Sequence, residues 1–204
     1  MALTPDALTN LADLKAYLLI SSNQHDDLMT SLVNAVSALF NAHTGRNLTA
    51  RDYSPDPQAE HYDQANAILD GSGYPELLLP QYPIVALDSL TLDGAILPQA
   101  QGSNQWGYVL DVSAGVVSLA GGAFTRGKAN VTATYRAGYE TIPPDLAQAA
   151  LEQTAVRFQE SAAGGGRLGV AARTLPDGSV SYASTPLLSQ VAAVLDRYRN
   201  RSLL

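Results

Sequence analysis

The stretch Arg136–Phe158, RAGYETIPPDLAQAALEQTAVRF, changes its periodicity halfway along. Before it, Val131, Ala133 and Tyr135 alternate with Thr132, Thr134 and Arg136, the two-residue repeat of a half-buried strand. After Pro144 the repeat lengthens to three and four. Leu146, Ala149/Ala150, Gln153 and Val156/Arg157 mark one side of a helix, with Leu151, Ala155 and Phe158 on the adjoining face. The twin prolines explain the switch. A residue before proline is pushed out of the α region, so Ile142 and Pro143 end the extended chain. Pro144 fits the first helical turn, where its missing N–H costs nothing, and Asp145 sets negative charge at the positive end of the helix dipole. The junction holds no catalytic group. It returns the chain from a β-rich excursion to helices.

Upstream, Leu8, Leu11, Leu14 and Leu18 form one apolar stripe, started by Thr4-Pro5-Asp6 or by Asn10. A polar break, SSNQHDD, precedes a longer helix from about Gln24 to His43. Leu28, Leu32, Ala35 and Leu39 make one ridge of it; Met29, Val33, Val36 and Phe40 make a second. Two ridges imply packing on more than one neighbour, and Thr44-Gly45 stops the helix. From Thr49 to Tyr139, proline and glycine punctuate short apolar runs, with a hairpin turn at Asp93-Gly94. This predicts roughly four to six antiparallel strands. Downstream, Gly164, Gly165 and Gly166 read as a flexible hinge. Residues 167–184 read as an arm with a turn at Pro176-Asp177-Gly178. A last helix follows Thr185-Pro186. It is lined by Leu188, Val191, Leu195 and Tyr198 and loaded at its end with Arg197, Arg199 and Arg201.

The expected fold class is α+β: a mainly helical core of about four helices, with a β-rich antiparallel insertion between helices 2 and 3. Residues 1–48 and 140–163 form the helical core and 49–139 the insertion. Residues 164–204 form the arm and C-terminal helix, all in one composite domain. The candidate partner interface is Leu188, Val191, Leu195, Tyr198, Arg197, Arg199 and Arg201, ordered on binding through the glycine hinge.

Composition narrows the function. The 204 residues carry a formal charge of −7, and the 12 basic residues are scattered until the last stretch, which argues against a phosphate-gripping surface. Charged residues are only 15%, fewer than an ordinary folded chain shows, so partners are expected to cover part of the surface. Cysteine is absent, which excludes disulfides, thiolate metal sites and cysteine nucleophiles. The start MALTPDALTN lacks a signal-peptide pattern and no apolar run has membrane-span length, so a soluble protein made in the cytoplasm is expected.

Near-motifs fail on their chemistry. Gly122–Ala129, GAFTRGKA, has alanine where a P-loop needs the Mg²⁺-binding hydroxyl, and a strand pattern where it needs a helix. Gly164–Gly169 fits GxGxxG by letter but follows a helix. His25, His43 and His61 lack metal-ligand spacing, and His61 reads as a strand residue. Asp52, Asp56, Glu60 and Asp63 lack the EF-hand pattern, and Ser118 is not in a nucleophile elbow. No catalytic, cofactor-binding or metal residues are assigned. Ten tyrosines against three phenylalanines suit either interfaces or sheet packing.

The order of segments carries a resemblance. It runs through LADLKAYLLI (Leu11–Ile20), HTGRNL (His43–Leu48), QYPIVALDSLTLDG (Gln81–Gly94), TYRAGYETIPPDLAQAALEQTAVRF (Thr134–Phe158), a glycine-rich arm and VLDRYRN (Val194–Asn200). The chain resembles the head–tail connector, or portal adaptor, family of tailed bacteriophages and prophages. That resemblance implies a structural, non-enzymatic protein of the virion neck, assembled in the host cytoplasm. It implies a ring of about twelve copies below the portal protein, monomeric when free. Such a ring extends the DNA channel and docks the tail or a neck completion protein. DNA passes without specific binding, and neither cofactor nor membrane is involved. Two other readings compete. A carbohydrate- or cell-surface-binding β module predicts an aromatic patch near Tyr82, Trp106 and Tyr108. A hydrolase predicts two carboxylates about 5–10 Å apart in one cleft.

Overall fold

The computed structural model describes residues 2–101, 105–165, 187–200 and, by their backbone, 172–175 and 178–181. The turn at 176–177, the helix start at Thr185-Pro186, and the assignments to Gly166 and Arg201 lie outside the described residues. The chain divides into two compact units, Met1–Gly45 with Ile142–Arg199, and Arg46–Thr141 with Asn200.

In the first unit α1 spans Leu11–Leu18. Its start is Asn10, whose side chain accepts the Asp13 amide at 2.9 Å. Leu8 precedes the helix yet is buried, and its amide donates to Ser37 Oγ. α2 spans Asp26–Thr44 and stops at Gly45, whose φ of 68° is the left-handed conformation glycine tolerates. The two ridges of α2 differ in fate. Met29, Val33, Val36 and Phe40 are buried, whereas Leu28, Leu32 and Leu39 are half-buried and Ala35 is exposed. α4 spans Pro144–Glu160 and packs on both α1 and α2. Its first turn has no side-chain cap. Instead the amides of Leu146 and Ala147 both donate to the Pro143 carbonyl at 3.0 Å. Leu14, Met29, Val33, Ala155 and Phe158 form a core here, closed by half-buried Leu11, Leu18 and Ile20. α5 spans Ser189–Arg197 and lies against α4 and α2.

The second unit holds α3, Gln64–Ala67, and eight strands: β1 Arg51–Tyr53, β2 Ile68–Gly71, β3 Glu76–Leu78, β4 Ile84–Leu92, β5 Ala95–Ile96, β6 Gly107–Asp111, β7 Val116–Ala120 and β8 Gly127–Ala137. β8 is the spine of a five-stranded antiparallel sheet, order β1-β8-β4-β5, with β2 also paired to β8. A second sheet runs β3-β7-β6. The alternation seen in the sequence of β8 puts Val131, Ala133 and Tyr135 in the core, each at most 1% exposed. Asp93 and Gly94 turn β4 into β5 with φ of 51° and 79°, the doubly positive geometry of a tight hairpin.

Among the described residues there are five helices: four in the helical unit, and α3 in the β region, where the sequence shows no helical period. Four residues complete barely one turn, too few for periodicity to register. The β region also has more strands than expected, several only two or three residues long, and builds its own hydrophobic core around Tyr53, Leu79, Leu90, Phe124, Val131 and Tyr135. His61 lies in a turn, not a strand.

The segment after Gly45 has a physical reason too. Arg46 is only 6% exposed. It donates to the Tyr82 carbonyl at 2.7 Å, and its guanidinium sits 4.3 Å over the Tyr82 ring and 5.7 Å from that of Tyr139.

Candidate functional site

α5 and its seat on α4 hold most of the residues expected to meet partners. Val191 and Leu195 are fully buried. Their apolar side chains are spent inside the chain and hold α5 to its unit. Leu188 is the N-cap residue rather than a helical one. It is half-buried, and its amide donates to Oε1 of Gln153 at 3.0 Å. Gln153 is itself 2% exposed, so this bond satisfies a buried polar group.

The far end of α5 is clasped by one carboxylate. Asp145 Oδ1 accepts the Tyr198 hydroxyl at 2.6 Å and its own neighbour's amide, Leu146, at 2.9 Å. Asp145 Oδ2 accepts Arg197 Nη2 at 3.1 Å. The residue read from sequence as a helix-dipole charge therefore also anchors the last helix. That second role shows only once the 53-residue separation from Tyr198 is closed in space. Asp196 faces His43 of α2 at 3.2 Å, and Arg199 approaches Asp196 at 3.9 Å. Arg197 and Arg199 keep side chains 64% and 51% exposed, so the basic end of α5 stays open to solvent. Both are surface cations, whereas Val191 and Leu195 are not surface at all.

Gly164 and Gly165 sit in the turn that closes α4. Both amides donate to the Ser161 carbonyl at 3.1 Å. A Cβ on Gly164 would strike the backbone of Phe158 and Gln159. The position thus needs glycine for close approach of backbone to backbone.

An exposed apolar tip was not legible in the sequence. Leu19, at the end of α1, has φ of 56° and is 93% exposed. Tyr17 beside it is 48% exposed. Two open clefts lie on this unit. One of about 410 Å³ is lined by Leu18, Ile20, His25 and Phe158. The other, of about 390 Å³, is lined by Tyr17, Ala155, Val156 and Leu188. Among the described residues the first is lined by no carboxylate and the second by Glu152 alone, so these linings do not bring together the acid pair a glycosidase needs. Among the described residues no group of three or more His, Asp or Glu side chains is placed to hold a metal ion.

In the β unit, tyrosine serves the core. Tyr53 and Tyr135 stack with centroids 5.0 Å apart, and Tyr135 donates to the Asn66 carbonyl. Burial raises the Tyr135 hydroxyl far above the ordinary tyrosine range, and Tyr108 moves the same way for the same reason. Tyr82 and Tyr108 are 4% and 5% exposed. They cannot form an open aromatic patch with Trp106, which removes the feature a glycan-binding module would need. In the near-P-loop, Lys128 of β8 pairs with Asp70 Oδ2 of β2 at 2.7 Å while Oδ1 accepts the Ala129 amide, so the lysine ties two paired strands.

With this geometry in view, the comparisons with known proteins decide the family. The model of the head completion protein family matches residues 7–201. The chain belongs to the head completion protein family. Its fold is similar to a chain in the neck of an empty GTA particle computed with C6 symmetry. That match has 19% identity and a TM-score of 0.52, covering 98% of this chain and 93% of the other. A chain in the neck of a native GTA particle computed with C12 symmetry is also similar, at 19% identity and a TM-score of 0.48, covering 98% and 92%. No curated protein matches the chain at a significant level. This head completion protein is a structural component of bacteriophage-type virion assembly, of the head–tail connector class. The resemblance read from the order of segments and the family match agree over nearly the whole chain.

Proposed function

We propose that this head completion protein forms a ring beneath the portal, extends the DNA channel through the neck of the particle, and offers a face on which the tail or a further neck protein docks. The family match across residues 7–201 carries this reading. The ring closes head to tail with about twelve copies, so two different patches of each copy must fit together. The negative charge of the chain suits a conduit, since a surface without a phosphate clamp lets DNA slide. The free chain is a monomer until the portal organises it.

Within this reading the attachment device is the C-terminal region. Its partner-facing groups are Arg197, Arg199 and Arg201 with Leu188, while Val191 and Leu195 secure the helix that carries them. The deciding experiment is electron microscopy of the full chain mixed with its cognate portal. A ring coaxial with the portal is expected. Failure to bind the portal, or binding elsewhere on it, refutes the proposal. Replacing Arg199 and Arg201 by glutamate should lower portal affinity at least about tenfold with an unchanged circular dichroism spectrum, because rim charges opposing a partner cost about 1–2 kcal/mol.

A further inference from the structure

Residues 172–175 and 178–181 pair as two strands of one hairpin-like ladder. β9, Ala172–Leu175, pairs antiparallel with β10, Gly178–Ser181, in an unbroken register from Leu175↔Gly178 to Ala172↔Ser181. Each strand bonds its partner through alternate residues, so each outer edge presents about two N–H and two C=O groups. Among the described residues no third strand pairs with either edge. An isolated two-stranded hairpin is marginal in water at best. Proteins also blunt open edges with proline, charge, bulges or very short strands. Here the register has no bulge, and Arg173 is the one charged residue within the two strands. β5, by contrast, is an edge strand of only two residues. Among the described residues the hairpin's four-residue edges carry no such device beyond Arg173, whereas the longer edge of β6 is partly covered, its Tyr108 amide donating to the Pro98 carbonyl and its Tyr108 carbonyl accepting the Ala100 amide.

We propose that β10 of one copy pairs with β9 of the next, so that the hairpins join into a continuous belt around the ring. This rests on the ring proposed above. The symmetry argument selects the occupant. β9 and β10 run in opposite directions, and copies related by rotation about one axis present their hairpins alike. β10 of one copy and β9 of its neighbour are then antiparallel, as the ladder requires. The two edges differ in sequence and match in length, which is what a heterologous contact needs. Only this arrangement uses both edges of every copy. A portal strand would cap one edge and leave the other open, whereas closure removes edges altogether. Two strands per copy, about 4.8 Å apart, give roughly 24 strands and a circumference on the order of 115 Å for about twelve copies. A belt of that size leaves an open lumen rather than a filled barrel.

The test uses the full chain, free and assembled on its cognate portal. Hydrogen exchange at 172–175 and 178–181 should slow by more than about tenfold in the rings. The chain has no cysteine, so paired single substitutions report neighbours cleanly. Thr174→Cys chains mixed with Ser179→Cys chains, and Arg173→Cys mixed with Val180→Cys, should give covalent dimers on oxidation of the rings. Either variant alone should give none. Rings with neither protection nor cross-links overturn the belt and leave the ring standing. Protection without cross-links in either mixture assigns the edges to the portal and also overturns the belt. If no ring forms, the ring reading falls and the belt with it.

Discussion

Leu195→Ala separates the docking of α5 from the stability of the rest of its unit. The helix is held by two fully buried aliphatic side chains, Val191 and Leu195, worth together about 3–6 kcal/mol. The Leu188–Gln153 bond adds about 1 kcal/mol. The Arg197–Asp145 pair is largely exposed and adds roughly 0–1 kcal/mol. Truncating a fully buried leucine to alanine costs about 2–5 kcal/mol, a large part of what holds the helix. The core around Leu14, Met29, Val33, Ala155 and Phe158 does not include Leu195. The substitution should therefore free α5 while α2 and α4 stay folded. Amide exchange across 189–197 should rise at least about 30-fold, from a loss of some 2 kcal/mol, with exchange in the middle of α2 and α4 little changed. Exchange that rises equally in all three helices would refute the reasoning, because α5 would then be part of one cooperative unit rather than a docked element.

Three further outcomes follow from named contacts. Tyr135 has its folded-state ionisation raised by burial, so its stabilising effect is complete below the ordinary tyrosine value of 10.0. It is lost as pH rises beyond that, because only the unfolded chain ionises. Tyr135→Phe should push alkaline unfolding of the β unit to higher pH, followed by circular dichroism, while costing about 1 kcal/mol at neutral pH for the lost bond to Asn66. Asp70 has its carboxyl held below 3.8 by the Lys128 hydrogen bond. Its contribution is present above that value and fades as pH falls through the folded-state value, so Asp70→Asn should flatten the acid limb of the stability profile in chemical denaturation between pH 2 and 4. Gly164→Ala drives a methyl into the Phe158 backbone and should cost about 1–3 kcal/mol, read as a lowered melting temperature.

The sequence was most informative where one local rule sufficed. The strand-to-helix switch at Pro143-Pro144, the glycine stop at Gly45 and the Asp93-Gly94 turn each depend on backbone chemistry carried by two or three adjacent residues, and each stands where the periodicity predicts. The alternation of β8 was equally clear, because a strand buried on one face repeats every second residue. What stayed hidden depends on partners far along the chain. Gln153 marks a helical turn in the sequence, but its buried bond to Leu188 spans 35 positions. Asp145 reads as a dipole charge until Tyr198 arrives from 53 positions away. The apolar period of α5 was legible, yet period alone does not say whether a stripe faces its own chain or another, and here Val191 and Leu195 face inward. The tyrosines pose the same problem, since composition cannot distinguish the buried Tyr53–Tyr135 stack from the exposed ring of Tyr74.

The helical unit is assembled from two stretches of chain, ending at Gly45 and resuming at Ile142, with the β unit translated between them. During synthesis α1 and α2 therefore leave the ribosome long before α4 exists to cover Met29 and Val33. At roughly 5–20 residues per second the intervening segment takes about 5–20 s to make. For that interval the face of α2 that carries Met29 and Val33 has no α4 to pack against.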